Sequence, residues 1–583
     1  LQSLGHLRTG SGPAARPIEP PSQAGRDLFM SQTVRYVLFI ASSIAILLVW
    51  NFLFPPPKPA PKPSPTPMAS ASPTTTPSAS PTPAPEGAGS TIAPAPAEAP
   101  KVAGPPVEVG TALWKAIFNP KGAGLDSFVL SGDKQSVRGH KDQGMNLAHS
   151  AENQPRPLSV DLTALAPGLT PEAIYETVGT PTGNELTFKT TSGPVTVTKH
   201  FTWKPDTYQL HLDVTVTGAN PGTYPVKALY TAYEVPTSSG GFFSFGAHAE
   251  PHQVVCHIAG ARSMESIPFS ANKVQMETFP GTPAFTGVDE KYFISALSPG
   301  QDASPSTCAI GTVGEPSHHR AVLERTLTVA AGQPATTSFD IFIGPKDSDA
   351  LEAAGHELKK SVDFGFLDII CRALLYVLRL FETFVRNWGV AIILLTLLVK
   401  IITFPLTHKQ MVSMEEGKRL NPLVEKLKEK YAGDQTRINM ETMKLYKEHN
   451  YQPLAGCFPM LIQMPVWFAL YRTLSNSFEL YNEPFIGGWL TDLTQRDPYY
   501  VLPVAMTATM FLTQILTPQP QQNQQMKTMT YIMPLMFGVF MLNLPSGLVL
   551  YIFTNNVLSI AQSLWFRKFV APKVAAKPLA PAK

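Results

Sequence analysis

A lysine inside an apolar run is the first residue whose type and place imply chemistry. Lys400 lies in LLTLLVKIITFPL (394–406), a stretch otherwise suited to the middle of a membrane helix. A charge there costs roughly 2.5–3.5 kcal/mol on insertion scales, and a nearby carboxylate usually offsets it. The apolar segments 387–407, 453–471, 499–517 and 528–566 contain no Asp or Glu. Hydroxyls and amides accompany the lysine instead. Thr396, Lys400, Thr403 and Thr407 recur at i, i+4, i+7 and i+11, one helix face. Asn555, Ser559, Gln562 and Ser563 form a second such stripe. Gln463 lies within 453–475, and Thr509, Thr513 and Thr517 line the next segment with Gln514 beside them.

Two readings follow. Lys400 either snorkels toward the level of His408, ~12 Å along the helix, with the stripes serving as interhelical hydrogen bonds, or it faces a hydrated groove inside the bilayer. The number of stripes favours the groove. There, a cation lowers the cost of drawing an acidic, hydrated polypeptide segment part-way into the membrane, while the apolar span of that polypeptide leaves sideways into lipid. This chemistry makes no covalent bond, so no catalytic residue is expected. The site it defines has Lys400 as its charge and Thr396, Thr403, Gln463, Gln514, Asn555 and Ser559 as its polar wall.

Other chemistries are poorly represented. The 46 Lys and Arg against 43 acids give a net charge of +3 over 583 residues, without the basic stripe of a nucleic-acid binder. Of four cysteines, Cys256 and Cys308 share a region and can pair if it is exported, while Cys371 and Cys457 read as packing residues. His211, His248, His252 and His257 lack the spacing of a metal site, and no nucleophile–base pair stands near them. Neither an enzyme nor a cofactor is expected.

The elements that must position Lys400 follow from composition. Residues 1–33 read as a cytoplasmic N-terminal segment, in which the polar residues 1–29 look like an extension upstream of Met30. Residues 34–54 are long enough to cross a bilayer. The length of that run, and the lack of a small-x-small site after it, favour an anchor over a cleaved signal peptide. A Pro-, Ala-, Ser- and Thr-rich linker, 55–106, cannot bury enough apolar area to fold. From 107 to 345, ELTFKT (185–190), VTVTKHFTW (195–203), YQLHLDVTVTG (208–218) and TTSFDIFIG (336–344) alternate apolar and polar residues, which predicts a β-sandwich. Residues 362–386 predict an amphipathic helix in the membrane interface, with Arg372, Arg379, Glu382 and Arg386 on one broad face. Five apolar segments, 387–407, 453–475, 499–517, 528–545 and 546–566, predict further spans. The whole is a polytopic α-helical membrane protein with an N-terminal anchor, a five-helix core and an exported all-β domain.

Charge sets the orientation. The segment 408–450 carries nine Lys or Arg, and it is patterned as a helical hairpin by LNPLVEKLKEKY and RINMETMKLYKEH. The tail 567–583 is basic and has no acid, whereas 476–498 holds Glu479, Glu483, Asp492 and Asp497. Basic segments stay inside. Six spans then leave both termini in the cytoplasm and the β domain in the periplasm.

The blocks NWGVAIILLTLLVKIITFPLT, YQPLAGCFPMLIQMPVWFALYRTL, DPYYVLPVAMTATMFLTQ and LPSGLVLYIFTNNVLSIAQ, in this order over 362–570, resemble the YidC family of membrane protein insertases. VDEKYFISAL (288–297) is similar to a segment of the large exported domain of its Gram-negative bacterial branch. The resemblance implies an insertase and chaperone in the bacterial inner membrane. It also implies a groove whose positive residue falls on Lys400, where bacterial members often carry arginine, and whose wall includes Thr396, Gln463 and Asn555. The implied partners are nascent membrane proteins, the lipid bilayer, the Sec translocon and the ribosome. The rival from another class is an ion- or solute-coupled transporter switching on Lys400, but such proteins more often pair the lysine with an intramembrane carboxylate or show inverted repeats.

Overall fold

The computed structural model describes residues 103–576, apart from 139, 149–153, 233–251, 269–274, 303, 315–317, 450, 452–457 and 517–523. The anchor segment 34–54 and the linker up to residue 102 lie outside the described residues, as does His248.

Alternating strands build the first half of this region. Val195–Trp203 and Gln209–Thr217 pair antiparallel with Val197 opposite Val216 and Phe201 opposite Leu212, so one face of each is apolar throughout. They belong to a nine-stranded sheet in the order Glu265–Pro268, Gln253–Ile258, Pro283–Asp289, Phe293–Pro299, Ala335–Pro345, Gln209–Thr217, Val195–Trp203, Glu185–Ser192, Glu176–Thr182. A five-stranded sheet, with His318–Val329 at its centre, shares one hydrophobic core with it. The Cys256–Cys308 disulfide joins the two sheets, Cα to Cα 6.3 Å. A third sheet of three strands, Val107–Leu130, packs Trp114, Phe118 and Phe128 into the same core.

The second half is helical. Helix α1, Ser348–Ala354, is capped by the Asp347 carboxylate, which accepts from the amides of Asp349 and Ala350. Helix α2 is Asp368–Val385. It buries Cys371, Leu375 and Leu378 and leaves Ile369, Tyr376 and Phe384 exposed. Helix α3 runs unbroken from Trp388 to Lys430, 43 residues. The fall in hydropathy after Thr407 therefore marks no break in the backbone. The first arm of the 408–450 hairpin continues the apolar helix, and Pro405 and Pro422 are accommodated within it. A turn at 431–434 leads to α4, Gln435–Glu448, capped by Asp434. Then come α5, Phe458–Asn476, α6, Val501–Leu516, α7, Gln524–Met541, α8, Ser546–Phe569, and the short α9, Ala571–Ala576. Among the described residues, α3 and α8 are long and apolar enough to cross a membrane, and the apolar stretches Val501–Leu516 and Ile532–Met541 are shorter.

Candidate functional site: a lysine between two helices

Helices α3 and α8 bring their polar stripes together. Lys400 Nζ donates to Ser559 Oγ at 2.7 Å. The Ser559 hydroxyl in turn donates to the Asn555 carbonyl at 2.7 Å, leaving its lone pairs for the lysine. Toward the 408–450 hairpin, Gln562 Nε2 donates to Thr407 Oγ1 at 2.8 Å. Thr403 bonds back to the Val399 carbonyl, as a hydroxyl inside a helix commonly does. Lys400 and Asn555 are half-buried. The lysine thus has a hydroxyl as its hydrogen-bond partner, and no carboxylate pairs with it among the described residues.

The remaining predicted wall residues are placed differently. Thr396 is fully buried in helix packing and donates to the Ile392 carbonyl at 2.7 Å. Gln514, on α6, has a buried Oε1 without a hydrogen-bond partner among the described residues, which marks polar capacity left open in that helix. Helix α5 passes through Gln463, whose side chain lies outside the described residues.

Sequence reasoning missed what holds α3 and α8 level. The loop 477–500 fastens the start of both helices. Asn387, the N-cap of α3, donates Nδ2–H to the Phe485 carbonyl at 3.2 Å. Phe485 packs so closely on Gly389 that a Cβ there would meet its ring at 2.0 Å, so only glycine fits. At α8, the amides of Ser546 and Gly547 donate to the carbonyls of Gln495 at 2.6 Å and Leu493 at 2.9 Å, serving two donors that a helix start leaves without partners. Three acids of this loop, Glu479, Asp492 and Asp497, are buried rather than solvated. Asp497 accepts from the Trp489 indole at 2.8 Å and from the amides of Tyr499 and Leu502. Glu479 pairs with Arg379 of α2. Burial pushes the Asp492 carboxyl above the usual carboxylate range, with Thr494 and Arg138 pulling it back.

Two of the candidate histidines, His211 and His257, are engaged by carboxylates. His211 Nδ1 meets Asp340 at 2.6 Å and its Nε2 meets Asp213 at 3.2 Å. The Asp340 hydrogen bond raises the pKa of His211 against the effect of burial. His257 Nε2 meets Glu357 at 2.8 Å.

Comparison with known proteins places these features. Residues 380–573 match the family model described as 60Kd inner membrane protein, and residues 106–377 match that of the YidC periplasmic domain. Fold and site therefore define an inner membrane protein whose helical core carries a periplasmic all-β domain. The membrane protein insertase YidC of Anaeromyxobacter sp. (strain Fw109-5) is 39% identical over 482 residues, covering 81% of this chain and 85% of that one. The insertase YidC of Citrifermentans bemidjiense is 34% identical over 475 residues, covering 80% and 86%. A crystal structure of an active YidC insertase with its first transmembrane domain resolved aligns over 79% of this chain and 92% of that one, at 19% identity and a TM-score of 0.35. The chain belongs to the YidC family of membrane protein insertases. It acts on membrane protein substrates in the bilayer, and nothing in these likenesses supports a solute transporter.

Proposed function

We propose that Lys400 is the charge of a hydrated groove between α3 and α8 that receives the hydrophilic, often acidic, flank of a nascent membrane protein. The observation that carries this reading is the choice of partner. The ammonium has three N–H donors, and among the described residues its hydrogen bond goes to one neutral hydroxyl, Ser559. In dry lipid the other two donors would be expensive to leave unmade. Facing water, they stay solvated and available to a passing carboxylate. Thr403, Gln463, Gln514, Asn555 and Ser559 line the groove, and Thr396 supports it from within the helix packing. The apolar span of the substrate passes from the groove into lipid.

The topology that goes with this reading has six spans: the anchor 34–54, 387–407, 453–475, 499–517, 528–545 and 546–566. Both termini and the 408–450 hairpin lie in the cytoplasm. Helix α2 lies in the interface, where its exposed Ile369 and Phe384 meet acyl chains. The Sec translocon and the ribosome are partners under this reading, the ribosome meeting the basic tail 567–583.

Replacing Lys400 with Arg, Ala and Glu, and following insertion of a single-span protein with an acidic exported tail, tests the proposal. Lys400→Arg retains insertion, because the charge persists. Lys400→Ala loses roughly tenfold, equivalent to about 1.4 kcal/mol, and Lys400→Glu loses more. Equal activity in all three removes Lys400 from the mechanism.

A further inference from the structure

We propose that Lys134 and Arg138 of the β domain are positioning residues for the groove: through the loop 477–500 they hold α3 and α8 in the register that places Lys400 on Ser559. The inference rests on the groove reading above and adds what aligns its two walls.

The turn 133–138 grips the loop at several points. Lys134 Nζ donates to the Glu479 carbonyl at 3.0 Å and pairs with the Glu483 carboxylate at 3.0 Å. It also lies 5.8 Å from the ring centre of Trp388, the first residue of α3. Arg138 donates to Thr494 Oγ1 at 3.2 Å and pairs with Asp492 at 3.6 Å. Its guanidinium stands 5.0 Å from the ring centres of both Tyr292 and Tyr481. Asn482 Nδ2 and the Tyr481 hydroxyl donate to the Ser136 carbonyl at 3.0 and 3.1 Å. Tyr292, from the nine-stranded sheet side, donates its hydroxyl to the Ser475 carbonyl at 2.9 Å, at the end of α5. Phe478 and Tyr481 of the loop are members of the β-domain core itself. The loop is thus held on one side by the β domain and holds both groove helices on the other.

Helix geometry turns that grip into register. Gly389 lies against Phe485, and Gly547 is bonded to Leu493. Both helices are fastened to the same loop at their N-terminal ends. Lys400 is eleven residues beyond Gly389 and Ser559 twelve beyond Gly547, which are rises of ~16 and ~18 Å. Near-equal rises from one origin bring the two side chains level. A slip of one residue moves a side chain by ~1.5 Å along the axis and turns it by ~100°, enough to lose a 2.7 Å contact.

The test uses the full chain in inner-membrane vesicles, with Cys371→Ser and Cys457→Ser as background and Thr407→Cys with Gln562→Cys as a cross-linking reporter between α3 and α8. In Lys134→Ala/Arg138→Ala, reporter cross-linking and substrate insertion fall together, by roughly 2- to 30-fold, as coupling through a connected network does. The Cys256–Cys308 disulfide and the protease resistance of the β domain persist. Arg138→Lys with Lys134 intact restores most of both readouts. Lys400→Ala, run in parallel, separates the two proposals: it loses insertion and keeps the cross-link if the groove reading holds. Unchanged cross-linking in the double variant overturns the positioning role, whatever insertion does. Should that variant unfold the β domain, Asn482→Ala/Glu483→Ala decides from the loop side, and unchanged cross-linking there overturns the role equally.

Discussion

Two lysines inside one chain are held in opposite ways. Lys199 is fully buried in the β domain. It donates to the carbonyls of Gly122 at 3.1 Å, Ala123 at 2.7 Å and Leu158 at 2.8 Å, so each of its three protons has a fixed acceptor. Lys400, in the helical core, is half-buried and bonds one hydroxyl. A cation that ties a scaffold together has every donor committed to that scaffold. Under the proposed reading, a cation that serves a passing chain keeps donors free for it. The β domain commits Lys199 to three backbone carbonyls, whereas Lys400 has a single neutral contact among the described residues.

The largest expected effect in this comparison is on stability, at Lys199. Lys199→Ala leaves three buried carbonyls without their donor, each costing about 1–3 kcal/mol, so the β domain loses roughly 3 kcal/mol or more. Chemical denaturation of the full chain, followed by alkylation of the exposed Cys256 and Cys308 after reduction, reads this out. Lys400→Ala in the same assay leaves the β-domain midpoint in place. A comparable loss from both variants would erase the distinction between the two lysines.

Ser559 sharpens the comparison with a smaller effect. Ser559→Ala removes the only hydrogen bond that orients Lys400 among the described residues and leaves its charge. Insertion should fall by roughly 2- to 10-fold, the range of one net hydrogen bond of 0.5–1.5 kcal/mol. The loss stays smaller than that of Lys400→Glu. A Ser559→Ala variant as damaged as Lys400→Glu would mean that the serine, and not the cation, carries the site.

Much of this arrangement was legible in the residues. VTVTKHFTW alternates cleanly, and its inward positions are Val195, Val197, Lys199, Phe201 and Trp203. Sequence reasoning took the segment as a strand and did not single out the lysine at an inward position. Its acceptors come from residues some 40 to 77 positions away, which no local pattern reveals. The stripes carrying Lys400 and Ser559 were readable from helix period alone, because a shared face is a local property. The loop 477–500 was not. Its acids read as markers of an exported surface, yet Glu479, Asp492 and Asp497 are buried and bound to partners as distant as Arg138. Composition counts charges and does not show which of them are already paired. The length of α3 was hidden for a related reason: hydropathy changes at Thr407, while the backbone hydrogen-bond ladder that defines a helix is indifferent to it.

Under the proposed reading, water reaches Lys400 from the side of the 408–450 hairpin. The most direct test places cysteine at position 400, in the Cys371→Ser/Cys457→Ser background, and treats oriented vesicles with a membrane-impermeant maleimide from each side. The groove account predicts rapid labelling from the hairpin side and little from the β-domain side. A cysteine at 400 that resists the reagent from both sides, while one placed at exposed Met440 of the hairpin is labelled, would contradict it.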